Sequence, residues 1–349
     1  MDSTMQHHPL TISEILRYAV GVHGDRGVST ATGDGFRYAS YLQIGQQAAR
    51  LANALRRLGI DSDQRVATFM WNNQEHLEAY VAVPSLGAVL HTLNIRLFPE
   101  QIEFVAYEAQ DQVVIVDMSL VPLLAPVLPG METVHTVIAV GAGDLAPLEA
   151  SGKTVLRYHE ITAAESDQFD WPVIDENSAA AMCYTSGTTG NPKGVVYGHR
   201  SSYLHSMAVC SGNGMALSFS DKALPIVPMF HANAWGLPYA ALMAGADLVL
   251  PDRFMDAKSM VTLIETQRPT VAGAVPTIWN DVMNFLDREP GHDISSLRFV
   301  ACGGSAVPVS LMQVFEERHG VQIRQLWGMT ETSPMATMAW PAPNTPAEN

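Results

Sequence analysis

The chain has 349 residues, of which 47% are apolar and only 16% are charged. A composition this apolar excludes extensive disorder, and the length suits two domains or one large α/β unit. Lys and Arg number 20 against 35 Asp and Glu, so the formal net charge is −15, a sign that disfavours nucleic acid as a partner.

Two helices are predicted near the N-terminus. Thr11 and Glu14 form a T-x-x-E capping box, which predicts a short helix beginning beside them. From Leu42 the apolar residues recur at intervals of three and four as far as Leu58, and Gly59 follows as a C-terminal cap. The second helix is therefore expected to bury one stripe of its surface.

Short apolar and β-branched runs follow, separated by helical stretches. This alternation predicts crossover units and largely parallel sheets, which is the α/β fold class. We expect an irregular tail over 341–349. The predicted strands are 66–70, 113–117, 136–140, 181–185, 247–250, 270–274 and 297–301.

The cysteines and the longest uncharged stretch indicate in which compartment the protein is expected and whether it spans a membrane. Three widely separated cysteines form neither a disulfide framework nor a CxxC metal pair, and the N-terminus lacks the pattern of a signal peptide, so a cytoplasmic setting is expected. Residues 223–246 contain no Asp, Glu, Lys or Arg. Three prolines, His231 and Asn233 argue against a membrane-spanning helix there, and we expect buried loop and helix around a pocket.

The strongest chemical signal is the segment Tyr184-Thr-Ser-Gly-Thr-Thr-Gly-Asn-Pro-Lys193-Gly194, directly after a predicted strand. Its glycines let the backbone point N–H groups at an anion, while the hydroxyls and Lys193 add donors and a positive charge. The pattern indicates a phosphate-binding loop, although Lys193 is followed by glycine and the Walker spacing is not met. A flexible Gly/Ser/Thr linker is the alternative interpretation.

This loop resembles the phosphate loop of the adenylate-forming superfamily, which includes acyl-CoA synthetases, peptide-synthetase adenylation domains and luciferases. Phe230-His-Ala-Asn-Ala-Trp-Gly236 resembles the family's acyl-pocket motif, and Gln325-Leu-Trp-Gly-Met-Thr-Glu331 resembles its Y-G-x-T-E motif. With the Cys302-Gly-Gly-Ser305 turn and the segments 90–94 and 96–100, the likeness covers nearly the whole chain. It is similar above all to medium- and long-chain fatty acyl-CoA synthetases.

The resemblance implies an acid–thiol ligase activity and the two α/β lobes of the family's large domain, approximately residues 66–206 and residues 10–60 together with 220–340. ATP would activate a medium- or long-chain fatty acid to an acyl-adenylate, and coenzyme A would then take the acyl group as co-substrate. No nucleic acid or membrane span is implied, whereas peripheral membrane contact and a homodimer stay open.

The resemblance also assigns roles to individual residues. Thr185 and Glu331 would hold Mg²⁺, Thr188, Thr189 and Lys193 the β- and γ-phosphates, and Thr330 the α-phosphate. The residues implied in catalysis are Lys193, His231, Thr330 and Glu331, and those implied in binding the acyl substrate are His231, Asn233, Trp235 and Gly236. Nucleotide binding is implied for Thr185, Ser186, Gly187, Thr188, Thr189, Gly190, Lys193, Gly303, Gly304, Ser305, Gln325, Leu326, Trp327, Gly328 and Thr330.

Several of these residues have a plainer interpretation. His231 is expected to position the substrate carboxylate, which is already ionised at neutral pH and needs no general base; a purely structural histidine is the alternative. Trp235 follows His231 by four residues, so on a helical turn both would share one face, with Trp235 beside the acyl chain or simply in the core. Glu331 could mark a solvated helix start, and His76 is expected on a solvated helix face.

The chain also departs from the family. Members continue beyond the position of Glu331 with a ribose-binding aspartate in a Gly-Asp pair, a hinge, and a small C-terminal domain with an adenylation lysine. Residues 1–349 therefore predict a partial large domain without the third sub-barrel and the C-terminal domain, with weak ATP binding and little thioester formation. A truncated chain and a naturally short one stay open, as do adenylation of aryl or amino acids and a non-catalytic nucleotide-binding fragment.

Overall fold

The computed structural model describes residue 1 and residues 3–185 and 190–340. The chain forms two compact units. The first unit comprises Met1–His23, Leu42–Met70 and Glu75–Leu204, and the second comprises Gly24–Tyr41, Trp71–Gln74 and His205–Asn349. The predicted irregular tail, 341–349, lies outside the described residues.

Strands of mostly four to seven residues supply two sheets. In chain order they are β1 (Gly27–Ala31), β2 (Phe36–Ser40), β3 (Arg65–Phe69), β4 (Val89–Thr92), β5 (Asp111–Asp117), β6 (Thr136–Val140), β7 (Thr154–Arg157), β8 (Ala179–Thr185), β9 (Lys193–Gly198), β10 (Lys222–Pro225), β11 (Asp247–Leu250), β12 (Val271–Ala274), β13 (Phe299–Cys302), β14 (Ile323–Gly328) and β15 (Met335–Met338).

Helices connect most of the parallel strands. They are α1 (Ile12–His23), α2 (Tyr41–Arg57), α3 (Gln74–Leu86), α4 (Pro99–Ala109), α5 (Val121–Leu124), α6 (Ala146–Glu149), α7 (Tyr158–Ala163), α8 (His199–Cys210), α9 (Leu237–Ala244), α10 (Ala257–Gln267), α11 (Pro276–Arg288) and α12 (Val309–His319). The two predicted N-terminal helices are α1 and α2, and the stripe predicted on α2, including Ile44, Ala48, Leu51 and Leu55, is fully buried.

The sheet of the first unit has the strand order β7-β6-β5-β3-β4-β8-β9. Its strands are parallel except for the antiparallel pair β8–β9. The central strand β5 reads Asp-Gln-Val-Val-Ile-Val-Asp, and its four consecutive branched residues are buried, which is typical of a parallel strand covered on both faces. The predicted strand 136–140 coincides with β6.

The sheet of the second unit has the order β15-β14-β13-β12-β10-β11-β1-β2. Antiparallel pairs occur at its two edges, β14–β15 and β1–β2, and the strands between them are parallel. Helices α10, α11 and α12 contribute to its apolar core, in which Trp279 packs edge-on against Phe315. The expected α/β fold with largely parallel sheets is therefore confirmed.

The predicted lobes differ from the structure in residues 10–60. We expected this whole range to join residues 220–340, but α1 and nearly all of α2 belong to the first unit. Arg50 of α2 donates to the carbonyl of Glu165, and His199 accepts from the backbone N–H of Ile12 in α1. Only the β1–β2 hairpin joins the second unit, because β1 pairs with β11.

The uncharged stretch 223–246 is almost entirely buried, as expected, and consists of β10, a loop and α9. Among the described residues no helix has the length and hydropathy needed to cross a bilayer. Cys183, Cys210 and Cys302, all within the described residues, form no disulfide.

Candidate active site

The β8–β9 hairpin of the first unit carries the ends of the predicted phosphate loop. Thr185 pairs with Lys193 across the antiparallel ladder, and Tyr184 pairs with Gly194. Lys193 is exposed and begins a strand, as expected for a lysine preceded by proline. The hydroxyl of Thr185 and the ammonium of Lys193 thus belong to one end of the hairpin. Ser186, Gly187, Thr188 and Thr189 lie outside the described residues.

A buried polar cluster supports this hairpin. The ring of Tyr184 covers Gly194, where an added Cβ would lie 3.1 Å from its Cζ, and the Tyr184 hydroxyl donates to Glu108. Burial and this carboxylate raise the pKa of Tyr184, so the phenol stays protonated. Its ring centroid is 5.1 Å from that of His91, whose Nδ1 lies 2.8 Å from a carboxylate oxygen of Asp111.

Both members of the His91–Asp111 pair are completely buried. Burial raises the pKa of Asp111, while the nearby imidazole opposes that rise. Segment 90–94 attracted attention in the sequence only as part of the resemblance. The pair itself was missed because its members are 20 residues apart and nothing local signals their contact.

In the second unit, the carboxyl ends of β13 and β14 bring the predicted adenine-slot residues together. Cys302 pairs with Gln325, and Gly303 follows directly. A Cβ on Gly303 would lie 2.5 Å from Cδ1 of Leu326, so only glycine permits this approach. The amide oxygen of Gln325 accepts from the N–H of Val307 at 3.2 Å, which fixes the turn that contains Gly304 and Ser305.

Trp327 and Glu331 are the exposed groups beyond this turn. The Trp327 side chain is 55% exposed, which leaves its indole available for stacking. The connection from β14 to β15 begins at Gly328, where a Cβ would collide with the carbonyl of Pro334. Within that connection Thr330 is buried and Glu331 is exposed. We name residues 329–334 the acidic turn.

The predicted acyl-pocket motif adopts a conformation that its spacing does not reveal. Residues 232–236, which we name the left-handed turn, all have positive φ, between 44° and 70°. Four of the five are not glycine, and each left-handed non-glycine residue costs about 1–2 kcal/mol. The segment is therefore not the ordinary helical turn on which His231 and Trp235 were expected to share one face. His231 is exposed, whereas Asn233 and Trp235 are buried.

Asn72 holds the segment that leads into the left-handed turn. Its amide nitrogen donates to the carbonyls of Pro225 and Val227, and its amide oxygen accepts from the N–H of Met229 at 2.7 Å. Three hydrogen bonds from one buried side chain fix the backbone that presents His231. Sequence reasoning missed Asn72 because its partners are more than 150 residues away along the chain.

His76 also differs from expectation. It was predicted on a solvated face, yet it is fully buried and lies 2.9 Å from the hydroxyl of Thr68. Every residue of α3 from His76 to Leu86 is buried. The position of His76 among charged residues of the helix therefore does not predict whether its side chain is exposed.

The described residues contain no group of three or more His, Cys, Asp or Glu side chains arranged for a metal ion. The predicted magnesium ligands are oxygen donors only, the Thr185 hydroxyl and the Glu331 carboxylate. Such a sparse donor set suits Mg²⁺, which keeps several waters and binds chiefly with substrate phosphates.

Residues 17–349 match the family described as AMP-binding enzyme. The chain belongs to the AMP-binding enzyme family. It is 40% identical to a 3-methylmercaptopropionyl-CoA ligase of Ruegeria pomeroyi over 97% of its length, and 42% identical to a long-chain-fatty-acid–CoA ligase of Thermus thermophilus over 95%. It covers 62% and 60% of these two proteins, so it spans less than two thirds of the relatives it matches.

Solved structures of CoA ligases share the fold. A long-chain-fatty-acid–CoA ligase of Archaeoglobus fulgidus superposes with a TM-score of 0.83 at 22% identity, covering 97% of this chain and 68% of that one. An anthranilate CoA ligase in complex with anthranoyl-AMP superposes at 0.86 with 23% identity, covering 98% and 64%. These likenesses show that the fold is shared.

Proposed function

We propose that this chain is the large-domain part of an AMP-forming acid–CoA ligase whose substrate is a medium- or long-chain fatty acid. The observation that carries the proposal lies in the second unit. There the glycine turn after β13, the exposed indole of Trp327 near the end of β14 and the acidic turn after β14 lie at neighbouring strand ends of one sheet. Crevices at the carboxyl ends of parallel strands are the usual ligand sites of α/β sheets.

The first unit contributes charge neutralisation. Lys193 and the hydroxyl-rich loop before it bind the β- and γ-phosphates, which carry the negative charge that builds up as pyrophosphate leaves. The antiparallel pairing of Thr185 with Lys193 sets the separation of these two groups. The buried rings of Tyr184 and His91, which pack against each other, support that pairing.

The second unit binds the adenosine and the acyl carboxylate. Gly303, Gly304 and Trp327 line the adenine slot, because glycine backbone allows close approach and the indole offers a stacking face. Thr330 binds the α-phosphate, and Glu331 would supply an oxygen ligand to Mg²⁺ from this unit. Bound Mg²⁺ would supply positive charge to neutralise the phosphates. His231, exposed beside the buried Asn233, orients that carboxylate by hydrogen bonding.

The acyl chain requires an apolar lining. Trp235 is 8% exposed, and the residues after it in α9 are buried and apolar. A relative from Ectopseudomonas oleovorans, 39% identical, is a medium-chain-fatty-acid–CoA ligase. The Ruegeria relative supports a second candidate, a short thioether carboxylate, in place of a fatty acid. Aryl acids stay a further alternative.

The test measures binding by this chain in calorimetry. Decanoate, 3-methylmercaptopropionate and benzoate are compared, each as a non-hydrolysable acyl-sulfamate analogue of its adenylate. Tightest binding of the decanoyl analogue supports the fatty-acid proposal, and tightest binding of either other analogue supports that candidate instead. Glu331→Gln should weaken the magnesium dependence of ATP binding without lowering thermal stability.

Chain-length preference gives a second readout. Each buried methylene contributes about 0.8 kcal/mol, so Trp235→Ala should change which acyl-sulfamate length binds best if the indole borders the chain. A uniform loss across all lengths would make Trp235 a core residue. We further propose a cytoplasmic location, with coenzyme A as co-substrate.

A further inference from the structure

His205 belongs to α8 and to the second unit, and nothing in the sequence singled it out. Its side chain is buried, with 6% of the residue exposed. Its Nε2 accepts a hydrogen bond from the backbone N–H of Met335 at 3.3 Å. Met335 is the first residue of β15 and directly follows the acidic turn that carries Thr330 and Glu331. The imidazole therefore anchors one end of that turn.

The opposite side of the ring lies against the left-handed turn. A Cβ added to Gly236 would overlap Nδ1 of His205 and lie 2.6 Å from Cε1. Gly236 has a φ of 70°, so glycine suits this position both for its backbone and for its contact with the ring. One side chain thus contacts the end of the segment bearing His231 and Trp235 and the end of the segment bearing Glu331.

The protonation state of the His205 ring allows it to keep the hydrogen bond to Met335. Burial lowers the pKa of His205 to about 4, so the imidazole is neutral near pH 7. A neutral imidazole that accepts at Nε2 carries its proton on Nδ1, and its acceptor lone pair stays available to the Met335 N–H. A protonated ring would have no lone pair for this bond.

Formation of an acyl-adenylate requires the carboxylate and the α-phosphate to approach within about 3–3.5 Å, and an error of 1 Å can cost about a hundredfold in rate. We propose that His205 is a positioning residue that sets the spacing between the left-handed turn, which presents the acyl carboxylate, and the acidic turn, which presents the α-phosphate and its metal. This inference rests on the proposed function.

The experiment separates spacing from simple binding. Three ligands are measured on this chain by calorimetry: Mg²⁺ with ATP, decanoate, and the decanoyl-sulfamate analogue that joins both halves. His205→Phe keeps a ring of similar size but removes the acceptor. It should weaken the joined analogue at least about tenfold, while the affinities for the two separate ligands change less than about threefold.

Conservative variants and a matched control complete the design. His205→Gln can present an amide oxygen to the Met335 N–H and should recover most of the affinity, whereas the shorter His205→Asn should not. Amide hydrogen exchange at Met335 should be faster in His205→Phe and His205→Asn than in the wild type. His319→Phe removes a partly buried histidine at the end of α12, outside both turns, and should leave all three affinities unchanged.

The outcomes distinguish the two levels of proposal. If the wild-type chain binds neither ATP nor the joined analogue, the proposed function fails and the inference fails with it. If the wild type binds both and His205→Phe binds the joined analogue equally well, only the positioning role is overturned. An equal loss for all three ligands would also overturn it. Should His205→Phe not fold, the contrast between His205→Gln and His205→Asn decides the question.

Discussion

The β8–β9 hairpin of the first unit and the left-handed turn of the second unit both carry predicted ligand-binding residues, yet their structures follow from different causes. In the hairpin, an apolar strand, a glycine-rich segment and Lys193 lie in consecutive residues, and local chemistry predicts both position and role. In the turn, four non-glycine residues hold positive φ angles that their own sequence does not favour.

Distant side chains stabilise the turn. Asn72 fixes the backbone that enters it, and His205 packs against the glycine at its end. Strain of this kind persists only where the surroundings overdetermine the conformation, and it concentrates at functional sites. The comparison teaches that ligand chemistry can be inferred from local sequence, whereas the geometry of a buried loop depends on partners far along the chain.

The largest effect is expected beneath the hairpin. Asp111→Ala leaves the imidazole of His91 buried without its partner, and breaking a buried pair in this way costs about 3–5 kcal/mol. Urea unfolding gives the loss. Asp117→Ala, at the other end of β5, removes a cap on Ser119 and should cost about 1 kcal/mol. Equal losses for the two variants would mean that the buried pair does not support the hairpin.

Lys193→Ala tests the exposed end of the same hairpin. Hydrogen bonds to charged groups contribute about 1.5–3 kcal/mol, so affinity for ATP should fall about 10- to 150-fold. The unfolding free energy should change by less than about 0.5 kcal/mol because the side chain is exposed. Lys258→Ala, an exposed lysine of α10, is the control. A similar loss of ATP affinity in both variants would mean that Lys193 acts only through the net charge of the chain and not through a specific contact with phosphate.

The two regions should respond alike to acid. His199 follows the hairpin and His205 contacts the turn, and burial lowers the pKa of each from 6.5 to about 4. As the pH falls, the unfolded chain therefore binds protons at these two histidines before the folded chain does. The stability that their neutral imidazoles contribute is fully present above about pH 6.5 and is lost as the pH falls toward 4. Between pH 7 and 5 each histidine should account for about 2 kcal/mol.

Variants isolate these contributions from the other groups that titrate in acid. His199→Gln and His205→Gln should each lose about 2 kcal/mol less than the wild type over this pH range, measured by urea unfolding at both pH values. Stability curves that parallel that of the wild type would show that the imidazoles already accept protons in the folded chain.

Prediction from sequence succeeded where a pattern is local. The apolar stripe of α2 and the bounds of β6 and β11 agree with the structure, because helical periodicity and short branched runs report burial directly. Strands such as β7 and β9 were missed because few of their residues are buried. The grouping of residues 42–57 was wrong because packing across the chain, and not order along it, assigns α2 to the first unit.

The candidate site divides in the same way. The role of Lys193 could be proposed from residue types and order, and those of Glu331 and the glycines at 303 and 304 from the family resemblance. Asn72, His91 and His205 could not, since each acts through partners that lie 20 to more than 150 residues away. Their contacts arise only when the two sheets have formed.

The smallest expected change in stability tests whether the left-handed turn is strained. Ala234, in the left-handed turn, and Ala241, in the right-handed helix α9, are both fully buried. Replacement by glycine removes one methyl from each site, at about 0.8 kcal/mol. In α9 glycine costs about 1 kcal/mol more, whereas at a φ of 49° it relieves about 1–2 kcal/mol of backbone strain. Ala241→Gly should therefore lose about 2 kcal/mol while Ala234→Gly stays near the wild type in urea unfolding. Equal losses at both positions would mean that residues 232–236 are not strained, and that the distant contacts of Asn72 and His205 are not needed to hold them.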